Sequence, residues 1–186
     1  MIYLPLRMKE IKIFARAGQG AITTAAILGE AFFYEGVYSY AFPHFGAARM
    51  GAPMNAFLRF DDKPVRLRSQ IYNPDYIIVV DPTLLKSENC FFGIKKNGIA
   101  IIAMREGMQI QAPKDVKVVS LFAEKIALEI IGRPFSNTVL LGAFSKVTGE
   151  VKLDSIIEAI QKRFLNKPEI LEKNIAAIKK GYETVS

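Results

Sequence analysis

The six residues 76–81 constrain the fold of this chain more than any other segment. They are Tyr-Ile-Ile-Val-Val-Asp, a continuously apolar run closed by a carboxylate. A strand covered on both faces gives such an unbroken run, whereas a half-exposed strand alternates apolar and polar residues. The run therefore predicts a buried, parallel strand, and residues 98–103 predict a second one.

Shorter strand and helix patterns alternate around these runs. Further strands are expected at residues 11–14, 37–42, 55–60, 65–69 and 116–120, with 55–60 and 65–69 pairing as a hairpin around 61–64. Helices are expected at 21–35, closed by Gly36, at 121–131 and at 137–147. Two more are predicted by apolar residues at helical spacing, namely Ile156, Ile157, Ile160 and Phe164, then Leu171, Ile175, Ile178 and Tyr182.

The length and composition suit one domain. The chain has 186 residues, 51% hydrophobic and 23% charged, so it can bury a core and is not a disordered chain. Strands that alternate with helices predict an α/β fold, here a single-domain sandwich with a mixed, partly parallel sheet flanked by helices. We expect the domain to span residues 8–186, after a flexible N-terminal extension at 1–7.

Two features favour a cytoplasmic protein that does not insert into a membrane. No run of 18 or more apolar residues is present, and residues 1–7 lack the pattern of a signal peptide. Cys90 is the only cysteine, so the chain can form no internal disulfide and cannot by itself ligate an iron–sulfur cluster. We expect Cys90 to be a core residue near Phe91 and Phe92.

The formal net charge of +7 raises the question of an anionic partner. A nucleic-acid-binding protein concentrates its basic residues on one stripe, often interleaved with aromatic residues. Here the basic residues are spread over the whole chain. We therefore expect no nucleic acid, and a surface that is simply solvated or that docks an acidic partner or an anionic ligand.

Residues 15–20, between the first strand and the first helix, are the strongest candidate for ligand binding. A glycine-bearing turn at this position directs backbone N–H groups and the positive end of the helix dipole at an anion such as a phosphate. Gly18 and Gly20 permit the tight path. Gln19 offers an amide, and Thr23 a hydroxyl in the first helical turn. The segment matches neither a P-loop nor a dinucleotide fingerprint, so a tight turn without a ligand is the alternative.

Residues 43–53 are expected to form a fixed loop, because two glycines lie between two prolines. They include the only histidine, His44. Metal sites and catalytic triads need several convergent groups, so a lone histidine favours an interface or ligand contact over catalysis.

Four arginines and one aspartate are the other polar candidates. Arg49, Arg59, Arg66 and Arg68 form a loose basic group. Arg66 and Arg68 share a face of the predicted strand and can hold a phosphate or a partner's carboxylate, with plain surface charge as an equal alternative. Asp81 ends an apolar strand, a common functional position, although it can equally cap the next helix.

Five motifs in order, covering about residues 8–183, resemble the gamma subunit of 2-oxoacid:ferredoxin oxidoreductases. The segments with the family patterns they resemble are RAGQG at 16–20 (GxGGQG), FPHFGAARMGAP at 42–53 (FPxFGxERRGAP), KPVR and RSQI at 63–71 (KPIR and RSQI), the stretch from NPD to DPTLL at 73–85 (PDxxIVxDPTLL), and NTVLLGA at 137–143 with residues 174–183 (the C-terminal motifs).

The chain departs from the family pattern at a few positions. Ala15 and Ala17 stand where the family has glycines, and the loop keeps its path if neither position needs a positive φ. Ala48 replaces a glutamate and Met50 an arginine, which removes one charge of each sign.

The resemblance implies a subunit of an enzyme complex. Such complexes oxidatively decarboxylate a 2-oxoacid with coenzyme A and ferredoxin, giving acyl-CoA, carbon dioxide and reduced ferredoxin. Thiamine diphosphate, magnesium and [4Fe-4S] clusters are expected on the alpha, beta and delta partner subunits. This chain is expected to be non-catalytic and structural, and to help bind coenzyme A.

The forms DPTLL and FGAARMGAP favour pyruvate as the substrate of the complex. The alternatives are 2-oxoisovalerate, 2-oxoglutarate or indolepyruvate within the same family, and, outside it, a free-standing nucleotide-binding module. We expect contacts with coenzyme A or with a neighbouring subunit at Gly18, Gln19, Gly20, Thr23, His44, Phe45, Gly46, Arg49, Arg66, Arg68 and Asn137. No catalytic residue and no metal ligand is expected in this chain.

Overall fold

The two apolar runs lie side by side in a mixed sheet. The computed structural model describes residues 8–45 and 49–185. The strands are β1 (Lys9–Arg16), β2 (Tyr38–Phe45), β3 (Pro53–Asp61), β4 (Tyr76–Val79), β5 (Ile99–Ala103) and β6 (Lys117–Leu121), in the spatial order β2-β3-β1-β4-β5-β6. The pairs β1–β4, β4–β5 and β5–β6 are parallel, while β3 is antiparallel to β1 and β2. The predicted buried, parallel strands are confirmed.

Most of the helices pack against one face of the sheet. The helices are α1 (Ala21–Tyr34), α2 (Leu84–Ser87), α3 (Ala123–Ile131), α4 (Ser136–Thr148), α5 (Leu153–Arg163) and α6 (Pro168–Thr184). Ile11 on this face shares one core with apolar residues of every helix except α2, among them Ile160 and Ile178 of the two predicted stripes. On the other face, Ile77 packs with Cys90, which is 2% exposed, as expected for a core residue. The single-domain α/β sandwich is confirmed.

Helices α4 and α6 cross at very short range. A β-carbon added to Gly142 would overlap the carbonyl oxygen of Ile178, and one added to Gly181 would overlap that of Val139. No residue larger than glycine fits at either position without moving a helix, so this crossing fixes the place of α6 on the fold.

The predicted hairpin between residues 55–60 and 65–69 is wrong. Residues 65–68 have no regular secondary structure, and β3 pairs instead with β2. The physical reason is Arg59, whose side chain is 1% exposed. Its guanidinium donates to the carbonyl oxygens of Ser69 and Gln70 at 2.7 and 3.1 Å and pairs with Glu10 at 2.8 Å. The segment therefore satisfies its backbone through an arginine rather than through a strand ladder.

The predicted irregular loop at residues 43–53 is also shorter than expected. Pro43, His44 and Phe45 belong to β2, and Pro53 begins β3. Proline lacks an N–H group, but β2 is an edge strand, where one side of the backbone has no pairing partner. Pro43, which in the sequence favours a loop, is therefore compatible with β2.

Within residues 8–45 and 49–185, no helix has the length and apolar character needed to span a membrane.

Candidate functional site

The loop after β1 takes the path that its glycines allow. β1 ends at Arg16 and α1 begins at Ala21, so residues 17–20 make the whole connection. Gly18 and Gly20 have φ of +99° and +84°, the left-handed region that favours glycine. Asn97 is the only described non-glycine residue with a positive φ, so neither alanine that replaces a family glycine is strained.

A partly buried polar network centred on Asp81 holds this loop in place. Gln19 Nε2 donates to Asp81 Oδ2 at 2.8 Å, while Gln19 Oε1 accepts from the Arg16 backbone N–H at 2.8 Å. Arg16 Nε lies 3.2 Å from Asp81 Oδ2, and Arg16 Nη2 donates to Thr83 Oγ1 at 3.1 Å. Burial alone would raise the pKa of Asp81, but hydrogen bonds from Thr83 and Gln19 and the charge of Arg16 outweigh it, so the pKa lies below its ordinary value. The Gln19 amide is thus already engaged within the protein.

The turn at residues 49–52 packs on the same loop. Ala17 N–H donates to Ala52 O at 2.9 Å, and Gly51 N–H donates to Ala17 O at 3.1 Å. Arg16 Nη1 also donates to Gly51 O at 3.2 Å. Met50 is 86% exposed, and its sulfur would lie 2.7 Å from a β-carbon at Gly18. Two motifs that are far apart in the sequence therefore meet here, with Arg49 exposed in the turn.

The loop lies at the switch point of the sheet topology. β1 and β4 are parallel neighbours, but the chain leaves β1 for β2 on one side and leaves β4 for β5 on the other. In open α/β sheets the crevice at the carboxyl ends of two such strands is where ligands bind.

The start of α4 reaches the loop from the other side. Asn137 Nδ2 donates to Thr24 Oγ1 at 3.3 Å, and a β-carbon at Gly20 would lie 2.7 Å from Asn137 Nδ2. Neither α1 nor α4 has a side-chain cap or an acidic residue in its first turn. Uncapped N–H groups and two helix dipoles favour an anion at this point.

A cavity of about 480 Å³ opens between the loop and the ends of α3, α4, α5 and α6. One wall of the cavity is polar and is formed by Thr23, Asn137, Thr138 and Asn174. Its remaining lining includes Ile27, Ile131, Phe135, Ile160, Phe164 and Ile170, with the charged residues Arg133, Glu169 and Lys173. A long ligand with both anionic and apolar parts suits this lining.

The predicted site residues fall into two groups. Gly18, Gln19, Gly20, Thr23 and Asn137 all line the cavity, and Arg49 lies in the adjoining turn. The cavity residues on α3, α5 and α6 were missed as ligand contacts, because helical spacing marks Ile160 and Phe164 only as buried and the lining comes together only when the helices pack.

His44, Arg66 and Arg68 lie on the opposite face of the sheet and do not line the cavity. Gln70 Nε2 lies 3.0 Å from His44 Nδ1, and the Arg68 guanidinium lies 3.8 Å from the centre of the Tyr40 ring. Arg66 is exposed close by in the same coil segment. Phe45 ends β2, and Gly46 lies outside the described residues.

The four arginines that were expected to form one basic group, Arg49, Arg59, Arg66 and Arg68, do not share one surface. Arg59 is buried against Glu10 and cannot bind a ligand. Within the described part of the chain, no cluster of three or more His, Cys, Asp or Glu residues could hold a metal ion.

Comparisons with known proteins agree on one family. The family described as pyruvate ferredoxin/flavodoxin oxidoreductase matches residues 10–184. Pyruvate synthase subunit PorC of Methanothermobacter thermautotrophicus is 48% identical over 178 residues, which cover 96% of each chain. The pyruvate/ketoisovalerate oxidoreductases common subunit gamma of Pyrococcus furiosus is 46% identical over 180 residues, covering 95% of this chain and 96% of the relative.

Solved structures show the same fold. The pyruvate oxidoreductase subunit PORC of Thermotoga maritima superposes with a TM-score of 0.84 at 36% identity, covering 97% of this chain and 98% of that one. The 2-oxoglutarate:ferredoxin oxidoreductase of Magnetococcus marinus gives a TM-score of 0.82 at 19% identity, where 97% of this chain matches 32% of a longer one, a likeness of fold alone. The chain therefore belongs to the pyruvate ferredoxin/flavodoxin oxidoreductase family, as a gamma-type subunit of a 2-oxoacid:ferredoxin oxidoreductase.

Proposed function

We propose that this subunit binds coenzyme A for a complex that oxidatively decarboxylates pyruvate to acetyl-CoA. The observation that carries the proposal is the cavity in which the Gly18–Gly20 loop meets the uncapped start of α4. Coenzyme A has a diphosphate that suits the backbone N–H groups, and an adenosine and a pantetheine arm that suit the apolar wall. The glycines also fit this role, because they let a ligand approach the backbone closely.

Pyruvate is proposed as the substrate because relatives of nearly full coverage are named pyruvate synthase subunits. The Pyrococcus relative is named as a subunit common to pyruvate and ketoisovalerate oxidoreductases. A gamma subunit of this kind is therefore compatible with more than one 2-oxoacid, and the choice between substrates is assigned to the partner subunits.

Partner subunits are also assigned the redox chemistry. A [4Fe-4S] cluster needs four thiolates, and this chain has one cysteine, which is buried. Thiamine diphosphate, magnesium and the clusters are proposed to lie on alpha, beta and delta subunits in the cytoplasm, with ferredoxin as the electron acceptor. Residues of this chain would then bind and orient coenzyme A and take no part in bond breaking.

The group on the opposite face, His44, Arg66 and Arg68, is proposed to contact a neighbouring subunit. Arg66 and Arg68 are exposed, and Arg59 holds the backbone on either side of Arg68. Because this backbone is already held, pairing with a partner's carboxylates orders the arginine side chains but costs little further backbone entropy.

The substrate is tested on the complex purified without oxygen through a tag on this chain. Coenzyme-A-dependent viologen reduction is measured with pyruvate, 2-oxoisovalerate, 2-oxoglutarate and indolepyruvate. The highest kcat/KM is expected with pyruvate. A higher value with another 2-oxoacid would replace pyruvate, and a colourless, inactive monomer would favour the nucleotide-binding module instead.

The coenzyme A site is tested with Gly20→Ala in the same complex, using calorimetry without 2-oxoacid. The variant places a β-carbon against Asn137 in a loop with φ of +84° and should weaken coenzyme A binding about tenfold or more, the scale of one or two lost hydrogen bonds to a charged group. Gly36→Ala is the matched control, since Gly36 has φ of +76° but open space around it. Equal affinity in both variants would contradict the site.

A further inference from the structure

The end of the cavity at α3 and α6 carries positive charge. Arg133 follows the C-terminal Gly132 of α3, and Lys173 lies on α6. Arg133 has no carboxylate within ion-pair distance in the described parts of the chain. Lys173 Nζ lies 2.7 Å from Glu169 Oε1, in an exposed pair that a stronger anion can displace. This end therefore offers two cationic side chains.

A row of polar contacts joins this end to the loop. Asn137 bonds to Thr24 beside Gly20, as described above. The next residue, Thr138, donates through Oγ1 to Asn174 Oδ1 at 3.1 Å, and both side chains are buried. Asn174 follows Lys173 on α6, so the buried Thr138–Asn174 bond sets the position of Lys173 relative to the loop.

The cavity thus offers two kinds of donor to anions. At the loop, the donors are backbone N–H groups and the Thr23 hydroxyl, because the Arg16 guanidinium and the Gln19 amide are already bound to Asp81. At the end by α3 and α6 the donors are cationic side chains. A phosphate monoester carries up to two charges and is held best by cations, whereas a diphosphate linkage suits a row of N–H groups.

From this arrangement we infer that Arg133 and Lys173 bind the 3′-phosphate of coenzyme A, and that this chain thereby selects coenzyme A over dephospho-coenzyme A. The inference rests on the proposed coenzyme A site and adds to it the group that decides specificity. Glu169 opposes binding, because it competes with the phosphate for Lys173.

The test uses the intact complex and calorimetric titration with each of the two ligands, without 2-oxoacid. In Arg133→Gln/Lys173→Gln, coenzyme A should bind about tenfold more weakly, while the affinity for dephospho-coenzyme A stays unchanged. Glu169→Gln should strengthen the binding of coenzyme A alone, by about two- to threefold. Lys179→Gln/Lys180→Gln is the matched control, since both lysines are exposed on α6 and neither lines the cavity.

The outcomes separate this inference from the function on which it rests. Equal weakening of both ligands, or no change with either, in Arg133→Gln/Lys173→Gln would overturn the assignment of the 3′-phosphate. The coenzyme A site itself would still stand if Gly20→Ala weakened both ligands. The coenzyme A site would be contradicted if Gly20→Ala also left the affinities for both ligands unchanged. Far-UV circular dichroism and co-purification of the partner subunits check that each variant is folded and assembled.

Discussion

Asp81 is a carboxylate that is 4% exposed and still favours its charged form. It accepts hydrogen bonds from Thr83 at 2.9 Å through the backbone N–H and 2.7 Å through the hydroxyl, and from the Gln19 amide. A buried charge is tolerated only when its partners are all in place. Asp81 is therefore the residue through which β4 fixes the conformation of the glycine loop.

This role predicts a pH dependence of stability. The pKa of Asp81 is lower in the folded protein than in the unfolded chain, so its stabilising contribution is present above about pH 4 and is lost as the pH falls through the folded pKa. The difference in unfolding free energy between the wild type and Asp81→Asn should be constant from about pH 7 to 5 and shrink below about pH 4. Urea denaturation across this range measures it. A difference that grows towards low pH would contradict the ion pair with Arg16.

At the scale of elements, α4 connects the site to the core. Its first residue, Ser136, donates to Val80 O at 3.3 Å, next to the end of β4. Asn137 and Thr138 then face the cavity, and Gly142 meets α6 one to two turns later. The position of the polar cavity wall thus depends on how closely α4 and α6 cross.

Gly142→Ala should destabilise the protein, although alanine is the better helix former. In an exposed helix the change stabilises by about 1 kcal/mol, but here the β-carbon would overlap Ile178 O, so a net loss of about 2 kcal/mol or more is expected. Gly29→Ala in α1 is the control, since its β-carbon would lie 3.3 Å from Ser39 Oγ, a contact that a small shift relieves. Thermal unfolding of the two variants gives the comparison. A similar Tm for both variants would show that α4 and α6 can move apart at little energetic cost.

At the scale of the whole molecule, the two faces of the sheet differ in cover. One is packed by α1 and α3–α6, and the other by α2 and by irregular segments that include residues 67–70. The second face presents Arg66 and Arg68 on a backbone held by the buried Arg59. The charges of Arg66 and Arg68 are therefore available to an acidic partner on a surface separate from the cavity.

Replacing both exposed arginines should weaken assembly and leave coenzyme A binding alone. Arg66→Ala/Arg68→Ala is expected to lower the salt concentration at which this chain dissociates from its partner subunits. The reason is that the variant has fewer ion pairs across the contact, and salt screens those that remain. Lys179→Ala/Lys180→Ala removes the same charge elsewhere and should leave that concentration unchanged. Size-exclusion chromatography at increasing salt gives the readout. Identical dissociation in the wild type and the arginine variant would remove these residues from the interface.

Most of the strands and helices, and the family, could be read from the sequence, although the strand predicted at residues 65–69 is wrong. Unbroken apolar runs are found where both faces of a strand are covered, and the 3.6-residue period appears where one face of a helix is buried, so β4, β5 and the last two helices were predictable. Gly18 and Gly20 were predictable too, because a tight turn between a strand and a helix demands residues that accept positive φ.

Which polar residues meet depends on how the elements pack in the folded chain. Arg59 looked like its neighbours in the sequence, and its burial follows from Glu10 and from carbonyl groups that only the folded chain brings to it. Arg133 and Lys173 line the same cavity as the loop because helices more than a hundred residues away in the sequence pack around it. Local periodicity encodes which side of an element is buried, whereas the contacts that build a site depend on how whole elements pack against one another.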